Sequence, residues 1–357
     1  MPVHPLYGHE GLRTRLAGAI AAGRLPQSLL FEGPRGVGKQ RLALWLGQLL
    51  LCERQGGGGK GREPCGECRS CRLVLVLQHP DLHWLVPVEV NKKGADADKQ
   101  IDLVEAALIE EMAARRDQPV YEATSGLAGH GIASVRLLLR RLALTPAMGS
   151  RKVFIIGDAE RLVPQQGAEA AANALLKALE EPPADTVFVL TASEPDALPP
   201  TIMSRVVRVR LARLHDSVVA SFAQRELKSG ESRSKLQEMA GMAQGSIGRF
   251  LASSGAKAGG GAAESYLAAV RAGTTSRLAY ALGQPAYQAR GGFTDMLDEL
   301  LERLRAQLRE TSGRRDANAP KLIEALAQVL QAREMAQGNV NPQLLTAVLS
   351  EDLAEVG

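Results

Sequence analysis

Four cysteines, Cys52, Cys65, Cys68 and Cys71, fall within twenty residues of one another, and the rest of the chain holds none. Two consecutive C-x-x-C steps bring three sulfurs around one point, and the glycine run 56–59 lets Cys52 return as the fourth. Four thiolates make a closed tetrahedral site for a structural zinc ion, with no position left open for catalysis. A disulfide framework would be spread along the chain, and a redox pair would leave two thiols unexplained. The neighbouring cations Lys60, Arg62, Arg69 and Arg72 read as the charged surround of a small knuckle rather than as a nucleic-acid contact.

The second set is Gly33-Pro34-Arg35-Gly36-Val37-Gly38-Lys39-Gln40, which follows a short apolar run and opens a helix-period segment. In that context the glycines curl the backbone so that successive N–H groups face a phosphate, while Lys39 reaches toward its β and γ oxygens. The residue after the lysine should carry a hydroxyl for Mg²⁺, and here it is Gln40, whose amide is longer and crowds the site. A hydrolysing site also needs an acidic pair at the end of a later buried strand. The strand expected over 152–156 ends instead in Gly157-Asp158, so the metal-side carboxylate is missing. Both losses strike the same ion, which points to a phosphate-loop site that has given up hydrolysis.

The elements that must position these groups follow from the apolar patterning. Runs at 28–31, 82–86, 152–156, 186–190 and 206–210 read as strands, most of them buried, with helices expected near 9–22, 39–52, 134–144 and 167–181. Such alternation predicts an α/β domain over 1–211 built on a mainly parallel sheet, with ligands at the carboxyl edge of the strands. Strand signals stop after 211. Helices near 215–228, 233–243 and 246–252 predict a small α-helical unit over 212–255, and the Gly/Ser/Ala stretch 253–261 reads as a linker. From 264 to 357 the pattern is helical, with Leu297, Leu300, Leu301, Leu304 and Leu308 on one face, so a C-terminal all-α domain is expected. The segment 91–130 fits the alternation poorly. It reads as an insertion at the sheet edge, carrying one charged, solvated helix over about 99–115.

Composition excludes some classes. With 357 residues, two or three domains are expected. A net charge of +4 is too small for a dedicated polyelectrolyte binder, although it leaves room for a local basic patch. No signal-peptide pattern opens the chain and no apolar run is long enough for a bilayer, so a cytoplasmic protein without a membrane partner is expected.

Taken in order, RLPQSLLFEGPRGVGK (24–39), the four cysteines, HPDLHWL (79–85), NALLKALEEPP (173–183) and LPPTIMSRVVRVRL (198–211) resemble the AAA+ clamp-loader subunits of the bacterial replicative DNA polymerase. The resemblance covers about 1–250. It implies an AAA+ P-loop domain with an inserted four-cysteine zinc module over 52–72, a helical lid and a helical collar used for oligomerisation. It also implies a heteropentamer with gamma/tau and delta subunits that acts on a sliding clamp and primed DNA as part of the DNA polymerase III holoenzyme. The family's Ser-Arg-Cys motif reads Ser204-Arg205-Val206 here, so the arginine finger that enters a neighbour's ATP site is kept as Arg205. Active gamma/tau subunits carry a hydroxyl after the lysine, an intact acidic pair and a lid arginine. This chain has Gln40, Gly157-Asp158 and a lid arginine shifted to Arg249, which implies a vestigial nucleotide site (Gly33, Gly36, Gly38, Lys39, Gln40, Asp158) without ATP/Mg²⁺ turnover. Two other functions stay open: an active gamma/tau-like ATPase, opposed by Gln40 and Gly157, and a zinc-dependent nucleic-acid binder, opposed by an aromatic content of 4%.

Overall fold

The structure, a computed structural model, describes residues 5–54, 63–90, 96–117, 128–162, 170–227, 232–254, 262–284, 292–312, 319–336 and 340–356. The chain divides into two compact units that meet in sequence between 255 and 256. The first is a sheet of β1 (Ser28–Glu32), β2 (Leu82–Leu85), β3 (Lys152–Ile156), β4 (Thr186–Ala192) and β5 (Val207–Arg210) in the order β2-β3-β4-β1-β5, every neighbouring pair parallel. The three central strands are buried along their whole length, which is why they read as unbroken apolar runs.

The helices of this unit are α1 (Glu10–Ala21), α2 (Lys39–Leu51), α3 (Arg69–Leu75), α4 (Ala97–Asp117), α5 (Ile132–Leu142), α6 (Ala170–Glu180) and α7 (Pro200–Met203). Helix α2 is apolar nearly all round, and eleven of its residues, Lys39 to Leu51 apart from Gln40 and Arg41, are buried. A helix of that kind must be enclosed. One face lies on the sheet, with Leu82 against Gly47, and the other meets α3, where Gln48 donates to the Cys71 carbonyl (3.3 Å).

Two expectations need correction here. The charged helix α4 is not simply solvated: Ile101, Val104 and Leu108 are buried in the main core and Arg115 is 2% exposed. These residues lie at i, i+3, i+7 and i+14, one helical face, and exposed Leu103 and Ile109 on the other face blur that signal in the sequence. Opposite-charge bonds from Arg140 and Arg141 to Glu105 (2.8 and 2.7 Å) fasten α4 to α5. The linker also begins later than 253, because Ser253 and Ser254 complete a helix; its remainder, 255–261, lies outside the described residues, as do 91–95 and 118–127 of the insertion. At the far edge β5 is largely exposed, and Arg208 (2.7 Å) and Arg210 (3.3 Å) pair with Glu32, a buried carboxylate that requires such partners.

Helices α8 (Asp216–Glu226), α9 (Arg233–Met242) and α10 (Ile247–Ser254) build a small core of their own around Leu214, Val219, Leu236 and Phe250. They still belong to the first unit. The second unit consists of α11 (Ala262–Arg271), α12 (Thr274–Leu282), α13 (Gly292–Ser312), α14 (Ala319–Met335) and α15 (Pro342–Val356). Its core contains Tyr266, Leu297, Leu300, Leu301, Leu304, Val329 and Leu349. No described helix is long and apolar enough to cross a membrane.

Candidate functional site

The glycine-rich loop joins β1 to α2 at the carboxyl edge of the sheet, where a parallel arrangement leaves its ligand crevice. Among the described residues no acceptor bonds the N–H groups of Gly36, Val37 or Gly38. Gly36 has φ +74, and a Cβ there would fall 2.4 Å from the Ser246 hydroxyl and 2.7 Å from the Gly248 Cα, so only glycine allows the lid this close. The lid is bonded to the loop at the same place: Gly248 N–H donates to the Gly36 carbonyl (3.2 Å) and the Ser246 hydroxyl to the Arg35 carbonyl (2.8 Å). On the other side, His9 Nε2 lies 2.7 Å from the Val37 carbonyl. The expected lid arginine, Arg249, bonds Gln244 Oε1 (3.0 Å).

Lys39 is buried, and its Nζ donates to the Gly33 and Pro34 carbonyls (2.8 and 2.9 Å) and to the Ser193 hydroxyl (2.9 Å). These acceptors are neutral oxygens. Burial brings its amine down from 10.5 to about 8, opposed by the more distant charges of Glu160 and Asp158. Below its folded value the ammonium carries a full desolvation cost. Between about 8 and 10.5 the unfolded chain binds the extra proton, so stability rises with pH across that window. Relative to Lys39→Met, the wild type should therefore gain on the order of 2–3 kcal/mol between neutral pH and about pH 10 in chemical denaturation, and a flat difference would refute the burial of a charged amine.

Gly157 and Asp158 follow β3. Asp158 has φ +49, a left-handed conformation that aspartate tolerates, and its N–H donates to the Thr191 hydroxyl (3.1 Å). Buried His130 sets Nε2 2.6 Å from the Gly157 carbonyl. The space a side chain at 157 would use is filled by Gln40: a Cβ built on Gly157 would lie 3.0 Å from its Nε2, 3.1 Å from Cδ and 3.2 Å from Oε1. Arg115 of α4 arrives at the same place, with one guanidinium N–H on Gln40 Oε1 (3.2 Å), Nε on Glu111 (2.8 Å) and its plane 4.6 Å from the centre of the Trp84 ring. Sequence reasoning missed Arg115 because a buried arginine four residues after a glutamate looks like an ordinary surface pair. It also missed Glu160, whose Oε1 accepts from Ser193 N–H (3.0 Å) while burial pushes its carboxyl up.

The four cysteine sulfurs all lie within 4.8 Å of one another, a group that could hold a metal ion. The fit can be tested by distance. Zinc–sulfur bonds of about 2.3 Å in a tetrahedron put sulfurs roughly 3.8 Å apart, and Cys65 and Cys71 are separated by 3.8 Å. The backbone N–H of Cys68 donates to Cys65 Sγ (3.4 Å) and that of Cys71 to Cys68 Sγ (3.3 Å). Bonds of the first kind hold the Cys65 thiol down at about 6, whereas burial pushes Cys52 and Cys71 up. Glu53 caps α3 through the N–H and hydroxyl of Ser70 (3.0 and 2.9 Å), and Trp45 Nε1 donates to Glu63 (2.6 Å), tying the cluster to α2. Lys60, Arg62 and the glycine run lie outside the described residues; Arg69 and Arg72 are exposed.

Arg205 stands between α7 and β5, half-buried. Its Nε donates to Glu180 of α6 (2.7 Å), with a second N–H on the same carboxylate, and the remaining nitrogen donates to the Thr201 carbonyl (2.8 Å) and the Ser204 hydroxyl (3.0 Å).

The all-parallel sheet in the order β2-β3-β4-β1-β5 and the glycine-rich loop between β1 and α2 define a P-loop α/β fold. The family model described as "DNA polymerase III, delta subunit" matches residues 8–215, more than half of the chain, and the chain belongs to that family. The Pseudomonas aeruginosa DNA polymerase III subunit delta' is 36% identical over 179 residues, covering 50% of this chain and 41% of the relative. The Escherichia coli K12 subunit delta' is 31% identical over 214 residues, covering 60% and 50%. A DNA polymerase III subunit tau from Salmonella typhimurium is 31% identical over 207 residues, covering 58% of this chain and 25% of its own length. The chain thus spans half or less of the length of these relatives.

Proposed function

We propose that the chain is the non-hydrolysing stator of a replicative clamp loader, which lends Arg205 in trans to a neighbouring ATPase so that the complex loads a sliding clamp onto primed DNA. The observation that carries this reading is the contact of Gln40 with Gly157, which fills the ground where a hydrolysing P-loop keeps its metal and its carboxylate. Gamma/tau and delta subunits are the partners in a heteropentamer, DNA is met through the complex, and a cytoplasmic protein is implied. The four-cysteine cluster holds one structural Zn²⁺. Support for assembly through the C-terminal helices comes from exposed Leu278 and Leu282 on α12 and Leu344 and Val348 on α15, each pair one turn apart on helices joined by Gln343 donating to the Leu282 carbonyl (3.1 Å).

The similarity to the tau subunit favours a second reading, an active ATPase. Steady-state turnover decides between them. The isolated chain should hydrolyse ATP at background rate in Mg²⁺, and Lys39→Ala should leave that rate unchanged. Partner-independent turnover abolished by Lys39→Ala would overturn the stator reading in favour of the second.

A further inference from the structure

A P-loop ordinarily holds Mg²⁺ through the hydroxyl after its lysine and an aspartate at the end of a neighbouring strand, and the ion demands near-octahedral oxygen ligands. The residues here do not fit that ion. The oxygen that replaces the hydroxyl, Gln40 Oε1, already accepts a hydrogen bond from Arg115 (3.2 Å). The place of the aspartate is Gly157, where even a Cβ would press on the Gln40 amide at 3.0 Å. A divalent cation at this point would also face a guanidinium held in place by Trp84 and Glu111.

The anion side of the loop is nevertheless intact. The N–H groups of Gly36, Val37 and Gly38 have no acceptor among the described residues, and the buried Lys39 ammonium rests on neutral oxygens. We propose that this P-loop is a metal-free polyphosphate site, in which Arg115, carried in by α4, supplies the fixed positive charge that Mg²⁺ supplies elsewhere. The inserted helix then has a role beyond covering the sheet edge: it delivers a resident cation to the metal side of the loop. Its ligand is a di- or triphosphate group that arrives without a divalent ion. Binding exchanges the Lys39 contacts to loop carbonyls for phosphate oxygens, charge-assisted bonds of greater strength.

The inference rests on the non-hydrolysing reading of the P-loop and is tested separately from it. Inorganic tripolyphosphate is titrated calorimetrically into the full chain, first in EDTA and then with excess Mg²⁺. Binding is expected in EDTA, weakened about tenfold or more by Mg²⁺, lost in Lys39→Ala, and weakened about tenfold in Arg115→Gln, the scale of one charge-assisted contact. Arg115→Gln removes a buried ion pair and can unfold, in which case the magnesium dependence of the wild type decides alone. Absence of binding in EDTA, binding that strengthens with Mg²⁺, or binding that survives Lys39→Ala overturns the proposal. ATP turnover would instead sink the stator reading, so the two failures are distinguishable.

Discussion

Assembled with wild-type partners, Arg205→Ala should form an intact complex whose ATP hydrolysis at the one site facing this subunit is slowed by about 10³–10⁵-fold, the range found for guanidinium groups supplied in trans. The physical reason is charge. As the terminal phosphate is transferred, negative charge spreads over its oxygens, and a planar group with parallel N–H donors stabilises that state more than the ground state. The local structure bears on the expectation in two ways. All three guanidinium nitrogens are engaged by Glu180, Thr201 and Ser204, so the side chain has a defined direction beside the edge strand β5. Folding should be little affected by its removal, because the pair with Glu180 is partly solvated and such pairs contribute about 0–1 kcal/mol. Arg205→Lys keeps the charge but loses the fork and should rescue poorly. Unchanged hydrolysis and clamp loading in a properly assembled complex would show that Arg205 only braces Glu180.

The second large effect is expected at the cysteines. Cys71→Ser should release the bound metal completely, since Cys71 is fully buried between Cys65, Cys68 and the end of α2, and no other described group of ligands is close enough to replace it. Structural zinc sites of this type bind with apparent free energies of about 10–16 kcal/mol at neutral pH, and a hydroxyl in place of one thiolate forfeits most of the selectivity. Metal analysis of the purified wild type should give close to one equivalent of zinc, and of the variant none. The sheet should remain folded, because its central strands are buried along their whole length, whereas protection of α3 against hydrogen exchange should fall to that of a loop and α2 should lose the cover of Val74. Less than half an equivalent in fresh wild-type protein would end the zinc assignment.

The glycine-rich loop, the cysteine quartet and all five strands were legible in the sequence because each is a local pattern. Glycine and lysine spacing dictates a backbone curl, C-x-x-C brings sulfurs together within a few residues, and a strand buried on both faces must be an unbroken apolar run. Edge strand β5 was legible as a strand, and its alternation Val207-Arg208-Val209-Arg210 sets it apart from the unbroken apolar runs of the central strands. Helix α4 was legible as a helix, yet its burial was hidden by apolar residues on its solvent side. That Gln40 and Gly157 stand where a phosphate loop is expected to carry a hydroxyl and an aspartate could be read from the motifs alone. Only the tertiary structure decided that they are also in contact, that Arg115 meets them, and that Glu180 holds Arg205. The reason is the parallel sheet: β1 and β3 both run parallel to β4 between them, so the residues that follow them leave at the same edge, and α4, entering after β2, lays its last turn against them. Periodicity reports which face of a segment is apolar, but it carries no information about which distant segment will cover that face.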